Sequence, residues 1–172
     1  MSVTYPEAVT SGGKRKIMIL TTAPADPAAP SLATDFAAGT AATMYFLGGF
    51  APTGTQNKGN GPKRVGESSQ LQVLGTKTFE SPTLTYVHDP KADAGTANAV
   101  KDLLVEGTEV WIYSAPAEAD GETFAANDRV RLDHLRTGYQ WEVPSGDDEF
   151  AIEQVTQESE YVEPPIYATV GA

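Results

Sequence analysis

The sequence predicts a mainly β protein, an antiparallel sandwich or small barrel with one flanking α-helix. Most of the chain alternates with a period of two, as in "TLTYVH" (Thr83 to His88), where Leu84, Tyr86 and His88 share one face. One stretch alone, about residues 94–106, changes to a helical period. The strand-like runs are joined mostly by short connections, which favour antiparallel neighbours. The 172 residues suit a single domain, 1–172, with a long protruding loop at about 51–69 and extended N- and C-terminal segments.

The first strand is expected in "KIMILTTA" (Lys16 to Ala23). "PADPAAP" (Pro24 to Pro30), with its three prolines, reads as an extended loop. "SLATDFAAG" opens on Ser31, carries Asp35 and stops at Gly39, so it allows a helical turn. "TAATMYFLGGF" (Thr40 to Phe50) reads as the next strand, with Met44 and Phe46 opposite Tyr45 and Leu47. The segment Ala51 to Ser69 is rich in Gly, Asn and Pro and has no large apolar anchor beyond Val65. A phosphate loop at Gly54 to Gly59 fails, because Asn60 and Gly61 follow where Lys and Ser or Thr are needed. A flexible or hairpin loop fits better, mobile in a free subunit.

"QLQVLGTKTFESPTLTYVHDP" (Gln70 to Pro90) supplies one or two strands, with Gly75 at a turn or bulge. Pro82, lacking an amide donor, belongs near a strand start or on an edge. In "DAGTANAVKDLLVEG", Ala97, Val100 and Leu104 form an apolar stripe that Leu103 widens. Thr96 or Asp93 can cap this helix, and Gly107 can end it in a left-handed conformation. Strands resume in "TEVWIYS" (Thr108 to Ser114) and "DRVRLDHLRTGYQWEV" (Asp128 to Val143), on either side of the acidic loop Ala115 to Asn127. "EFAIEQVTQESEYV" and "IYATV", separated by Pro164-Pro165, close the chain.

Charge is unevenly spread. Up to Gly66 six bases face three acids, a balance of +3, so the remaining residues carry −14 of the total −11. From Thr137 onward there are eight acids and no Lys or Arg. Such a chain is a poor phosphate neutraliser, although its surface can repel a polyanion that slides past. No Cys is present, so disulfides and thiolate metal sites are excluded. The apolar run Ile17 to Leu20 is too short for a signal core or a membrane span.

Catalytic chemistry is not legible. His88 and His134 sit beside Asp89 and Asp133, but no Gly-x-Ser-x-Gly elbow presents a nucleophile. Asp147, Asp148 and Glu149 lack the spaced pattern of a calcium loop and read as a solvated turn. Trp111 and Trp141 could form a glycan platform, though core packing is the commoner fate of tryptophan. No enzyme, cofactor or metal is expected.

An ordered run of segments carries a resemblance: "SLATDFAAGTAATMYFLGGFAPTGTQNK", then "GESSQLQVLGTKTFESPTLTYVHDP" with its F-E-x-P-x-L-x-Y-x-x-D-P pattern, then "DRVRLDHLRTGYQ" and the C-terminal strands. From about residue 15 the chain resembles the major tail protein, or tail tube protein, of long non-contractile-tailed bacteriophages, siphophages of the kind that infect actinobacteria. The resemblance implies a virion protein made in the host cytoplasm, whose β-sandwiches join edge to edge into hexameric rings. Rings would stack head to tail into a hollow tube through which double-stranded DNA is ejected without specific binding. Implied partners are further copies of the chain, the tape measure protein, the tail terminator and the distal tail protein, with no membrane. Alternatives are another virion β-protein (a tail terminator or capsid decoration protein) and a glycan-binding sandwich.

Two sets of residues follow for such an assembly. Lys14, Arg15, Lys16, Thr53, Gln56, Asn57, Lys63 and Arg64 are candidates for subunit and ring-stacking contacts, where a neighbour's acids can meet the bases. Asp128, Asp133 and Glu153 are candidates for an acidic lumen wall.

Overall fold

The computed structural model describes residues 14–47, 53–60, 72–91, 98–117, 122–144 and 153–172. Strands β1 (Arg15–Leu20), β2 (Thr40–Ala41), β3 (Gly54–Asn60), β4 (Gln72–Phe79) and β5 (Leu84–Val87) precede the helix α1 (Ala99–Leu103). Strands β6 (Glu109–Pro116), β7 (Arg129–Val143), β8 (Gln154–Tyr161) and β9 (Ile166–Thr169) follow it. Seven of them form one sheet in the order β2-β1-β6-β7-β8-β5, with β9 also paired to β7. Every strand pairing is antiparallel.

The sheet curls into a half-barrel, and the segment after β2 explains how its edges are brought together. The strand expected over Thr40 to Phe50 ends at Ala41, because Thr43 takes over the pairing with β1. Its Oγ1 accepts from Ile17 N at 3.0 Å, and the chain then turns with Tyr45 N donating to the Ala42 carbonyl. Leu47 N donates to the Thr85 carbonyl and Val87 N to the Tyr45 carbonyl, so this segment runs from the β1 edge to the β5 edge. Beneath it lies one core cluster, with Ile17, Ile19, Leu84, Tyr86, Val110, Ile112, Leu135 and Val155 buried around Val100 of α1 and Leu104 just after it.

Alternation places a second cluster on the opposite face of β6, β7 and β9: Tyr113, Ala115, Val130, Leu132 and Ala168. A π-helical turn, Leu32–Phe36, and the loop residue Phe124 cover it. Phe36 meets Tyr113 and Phe124 edge-on, with ring centroids 5.1 and 5.0 Å away. The expected turn at Ser31 is present, with Ser31 N donating to Asp35 Oδ2.

The helix ends at Leu103, before the expected 106, and its expected start, with Asp93, Thr96 and Ala97, lies outside the described residues. Asn98 does not cap it, since its amide brackets the Asp89 peptide instead, accepting from Asp89 N and donating to the Asp89 carbonyl. Gly107 has φ of +81°, the left-handed conformation expected for it, and its amide donates to the Thr137 carbonyl.

Two bulges adjust the strands. In the β3–β4 hairpin, Asn57 faces both Gly75 and Thr76, between the pairs Gln56–Lys77 and Lys58–Leu74. In the main sheet, Glu158 faces both Gly138 and Tyr139, between Thr137–Ser159 and Gln140–Gln157. The second bulge reverses the phase of β7. Gln140 now points toward α1, while Tyr139 and Trp141 stay exposed at 56% and 62% on the other face.

Candidate assembly surfaces

The hairpin β3–β4 is a two-stranded sheet of its own, and every β3 side chain is exposed. Gln56 and Asn57 therefore lie in strand β3 of a hairpin, with Thr53 just before it, while residues 61–69 of the expected loop lie outside the described residues. Thr53 Oγ1 donates to Glu80 at 2.7 Å where the hairpin leaves the body, and Gln56 Nε2 donates to the Gly75 carbonyl across the bulge. Lys63 and Arg64 lie outside the described residues. Leu74, 64% exposed, puts an apolar side chain on the hairpin surface.

Of the basic run, Lys14 is exposed and Arg15 half-buried. Lys16 is not available to a neighbour: it is buried, and its ammonium bonds Glu122 at 2.6 Å and Asp128 at 2.8 Å within the same chain. Burial alone would lower its pKa, but the two carboxylates outweigh that and the net shift is upward. The acids expected to meet Lys16 from another subunit thus come from its own loop.

The same network corrects the acidic set. Asp128 faces Lys16 and also accepts from Ala125 N, so it is committed inside the subunit. Asp133 is completely buried. Arg131 Nε donates to both of its oxygens at 3.0 and 3.1 Å, and the Tyr161 hydroxyl donates at 2.8 Å. Burial dominates and pushes the Asp133 carboxyl up despite these bonds. Neither acid presents free charge to a wall. Glu153 is half-buried, as is Asp128.

The histidines are not arranged for catalysis with their sequence neighbours, because alternation sends Asp133 and His134 to opposite faces. His134 stacks on Trp111 with ring centroids 4.4 Å apart, between Glu109 and Glu163. The carboxylate beside His88 is Glu142, at 3.9 Å from Nε2. Trp111 is half-buried in that stack, whereas Trp141 packs edge-on against Tyr139 at the surface. Among the described residues no His, Cys, Asp and Glu group could hold a metal, and no helix is long and apolar enough to cross a membrane.

Sequence reasoning missed one feature. Arg15, Arg129 and Arg131, from β1 and β7, line a cleft of about 560 Å³ with Tyr167 of β9. Arg131 and Tyr167 also border a second cleft of about 300 Å³, where Lys77, Gln56 and Phe79 of the hairpin face the sheet. The cross-strand register Arg131–Tyr167 brings these residues together, and no local pattern announces it.

A family model described as phage tail tube protein matches residues 2–159. The chain belongs to the phage tail tube protein family. This tail tube protein is accordingly a structural component of the virion's tail, and its family is not an enzymatic one. No curated protein sequence matches it. Among solved structures it is similar to a chain of the six-fold symmetrised baseplate of the anti-feeding prophage, determined by cryo-electron microscopy. That likeness has a TM-score of 0.51 at 8% identity and covers 98% of each chain, which makes it one of fold.

Proposed function

We propose that the protein forms six-fold rings that stack head to tail into a hollow tube, through which DNA leaves the virion. The β3–β4 hairpin carries this reading. A two-stranded sheet with one strand wholly exposed is marginal by itself and gains stability when a neighbour covers it. Its unpaired edges are templates for further pairing, a hazard that ordered assembly removes. A contact that joins different surfaces of two copies propagates into rings or filaments. The six-fold baseplate of the structurally similar chain agrees with six copies per ring. On this reading the tape measure protein, tail terminator and distal tail protein are partners, and the host is reached by a siphophage tail. An acidic lumen wall would let duplex DNA slide through the tube.

Negative-stain microscopy of the purified protein tests the reading: hollow tubes are expected, and persistent monomers at high concentration would overturn it. Single closed rings would favour a terminator-like protein. Glu80 N donates to the Thr53 carbonyl, so the two ends of the hairpin are adjacent. Replacing Gly54–Phe79 by a short glycine turn should leave a folded subunit that does not lengthen tubes. Normal tubes from that variant would remove the hairpin from the stacking contact.

A further inference from the structure

We infer that the arginine cleft between β1, β7 and β9 is a docking site for the acidic β7–β8 connection of a second copy of the chain. The inference rests on the tube reading and assigns one contact within it. The cleft concentrates Arg15, Arg129, Arg131 and, in the adjoining cleft, Lys77 on a chain whose formal net charge is −11. Asp133 is the carboxylate buried beside Arg131, bonded to that guanidinium and acting on Arg15 through its charge. Arg129 is exposed, with the Tyr167 ring 5.2 Å away as its contact. Arg15 donates from Nη2 to Ser114 Oγ at 3.1 Å, while its buried Nε has no hydrogen-bond partner. Guanidinium groups in this number, with two of the three not ion-paired among the described residues, suit carboxylates.

The occupant follows from charge and reach. Between β7 and β8 the sequence from Glu142 to Glu153 contains Glu142, Asp147, Asp148, Glu149 and Glu153 and no base. Val143 pairs with Gln154, so this connection starts and ends at one place on the sheet. Its ten residues, 144–153, extend at most about 18 Å out and back at ~3.5 Å per residue. Arg129 lies at the other end of β7, fourteen residues from Val143, which is roughly 45 Å at ~3.3 Å per residue. The connection cannot reach its own cleft, so its match is in another copy. Basic cleft and acidic connection sit at opposite ends of the longest strand, the polarity that a head-to-tail contact requires.

Charge reversal tests the pairing. Wild-type protein, Arg129→Glu with Lys77→Glu, Asp147→Lys with Asp148→Lys, and the chain carrying all four changes are compared by sedimentation and negative-stain microscopy. Each reversed pair should cut the assembled fraction at least tenfold without lowering the melting temperature, and the four-fold variant should restore it. Raising salt from 50 to 500 mM should weaken wild-type assembly, as screening predicts. If the first variant melts early, Arg129→Gln with Lys77→Gln carries the same test. Absence of wild-type tubes would defeat the tube reading itself. Wild-type tubes together with undiminished variants, or no rescue in the four-fold chain, would overturn this contact alone. A 20-base-pair DNA duplex is added to unassembled protein as a control. Saturable binding that Arg129→Glu abolishes would assign the cleft to a phosphate backbone and overturn the inference.

Discussion

The Tyr86 hydroxyl bonds the Gln157 side-chain carbonyl at 3.0 Å, and neither residue has any exposed surface. This bond anchors a polar network beneath α1. Gln157 Nε2 donates to the Leu104 and Gly138 carbonyls, both at 2.7 Å. Gln140 Nε2 lies 3.0 Å from the Tyr86 hydroxyl and donates to the Lys101 and Leu104 carbonyls. Two glutamines from the sheet thus satisfy the carbonyls that a five-residue helix leaves open at its end.

Gln157→Leu should therefore cost about 2–4 kcal/mol, since it strands the Gly138 carbonyl and the Tyr86 hydroxyl proton and leaves the Leu104 carbonyl with Gln140 as its one side-chain donor. Tyr86→Phe, which orphans chiefly the Gln157 oxygen, should cost about 1–2 kcal/mol. Urea unfolding at unchanged m-value checks both. Equal effects of the two substitutions would show that the network is not centred on Gln157.

Arg131→Leu should destabilise by about 3–5 kcal/mol at pH 7, because it leaves the buried Asp133 carboxylate without its cation. Asp133 has a folded pKa above its unfolded value, so its favourable contribution is present below the unfolded pKa and is lost as pH rises through the folded one. The penalty of Arg131→Leu should accordingly shrink as pH falls through the raised pKa of Asp133. Unfolding midpoints of variant and wild type at pH 4 and pH 7 measure this. A penalty independent of pH would mean that packing of the arginine stem is what the substitution removes.

Gly138→Val tests the β7 bulge. A Cβ at Gly138 would stand 2.9 Å from the Glu158 carbonyl oxygen, a backbone atom that cannot swing away. The substitution should cost roughly 2 kcal/mol, within the range for overpacking. At Gly39 the Cβ contact is the Met18 sulfur at 2.8 Å, the end of a flexible side chain, so Gly39→Ala should be milder. Thermal melts rank the two, and a reversed order would contradict the strain account.

The β architecture was legible because local alternation records burial. The pattern at Leu84, Tyr86 and His88 gave the buried face of β5, and the stripe at Val100 and Leu104 gave the buried side of α1. The bulge at Gly75 was legible for the same reason, as a glycine within a strand-like run. The Thr40–Phe50 strand was misread because Thr43 and the turn that follows it compete with the ladder through a side-chain oxygen, which composition does not reveal.

By itself the sequence determined the antiparallel β class, the one short helix, the acidic C-terminal third and the absence of thiol chemistry. It did so because period, turn residues and charge act over a few neighbouring positions. Only the tertiary structure decided which bases remain available to another molecule. Lys16 and Arg15 are adjacent in sequence, yet alternation buries one against Glu122 and Asp128 and turns the other into a cleft with Arg129 and Arg131. Their separate fates depend on residues about a hundred positions away along the chain, brought close by the β1–β6–β7 pairing.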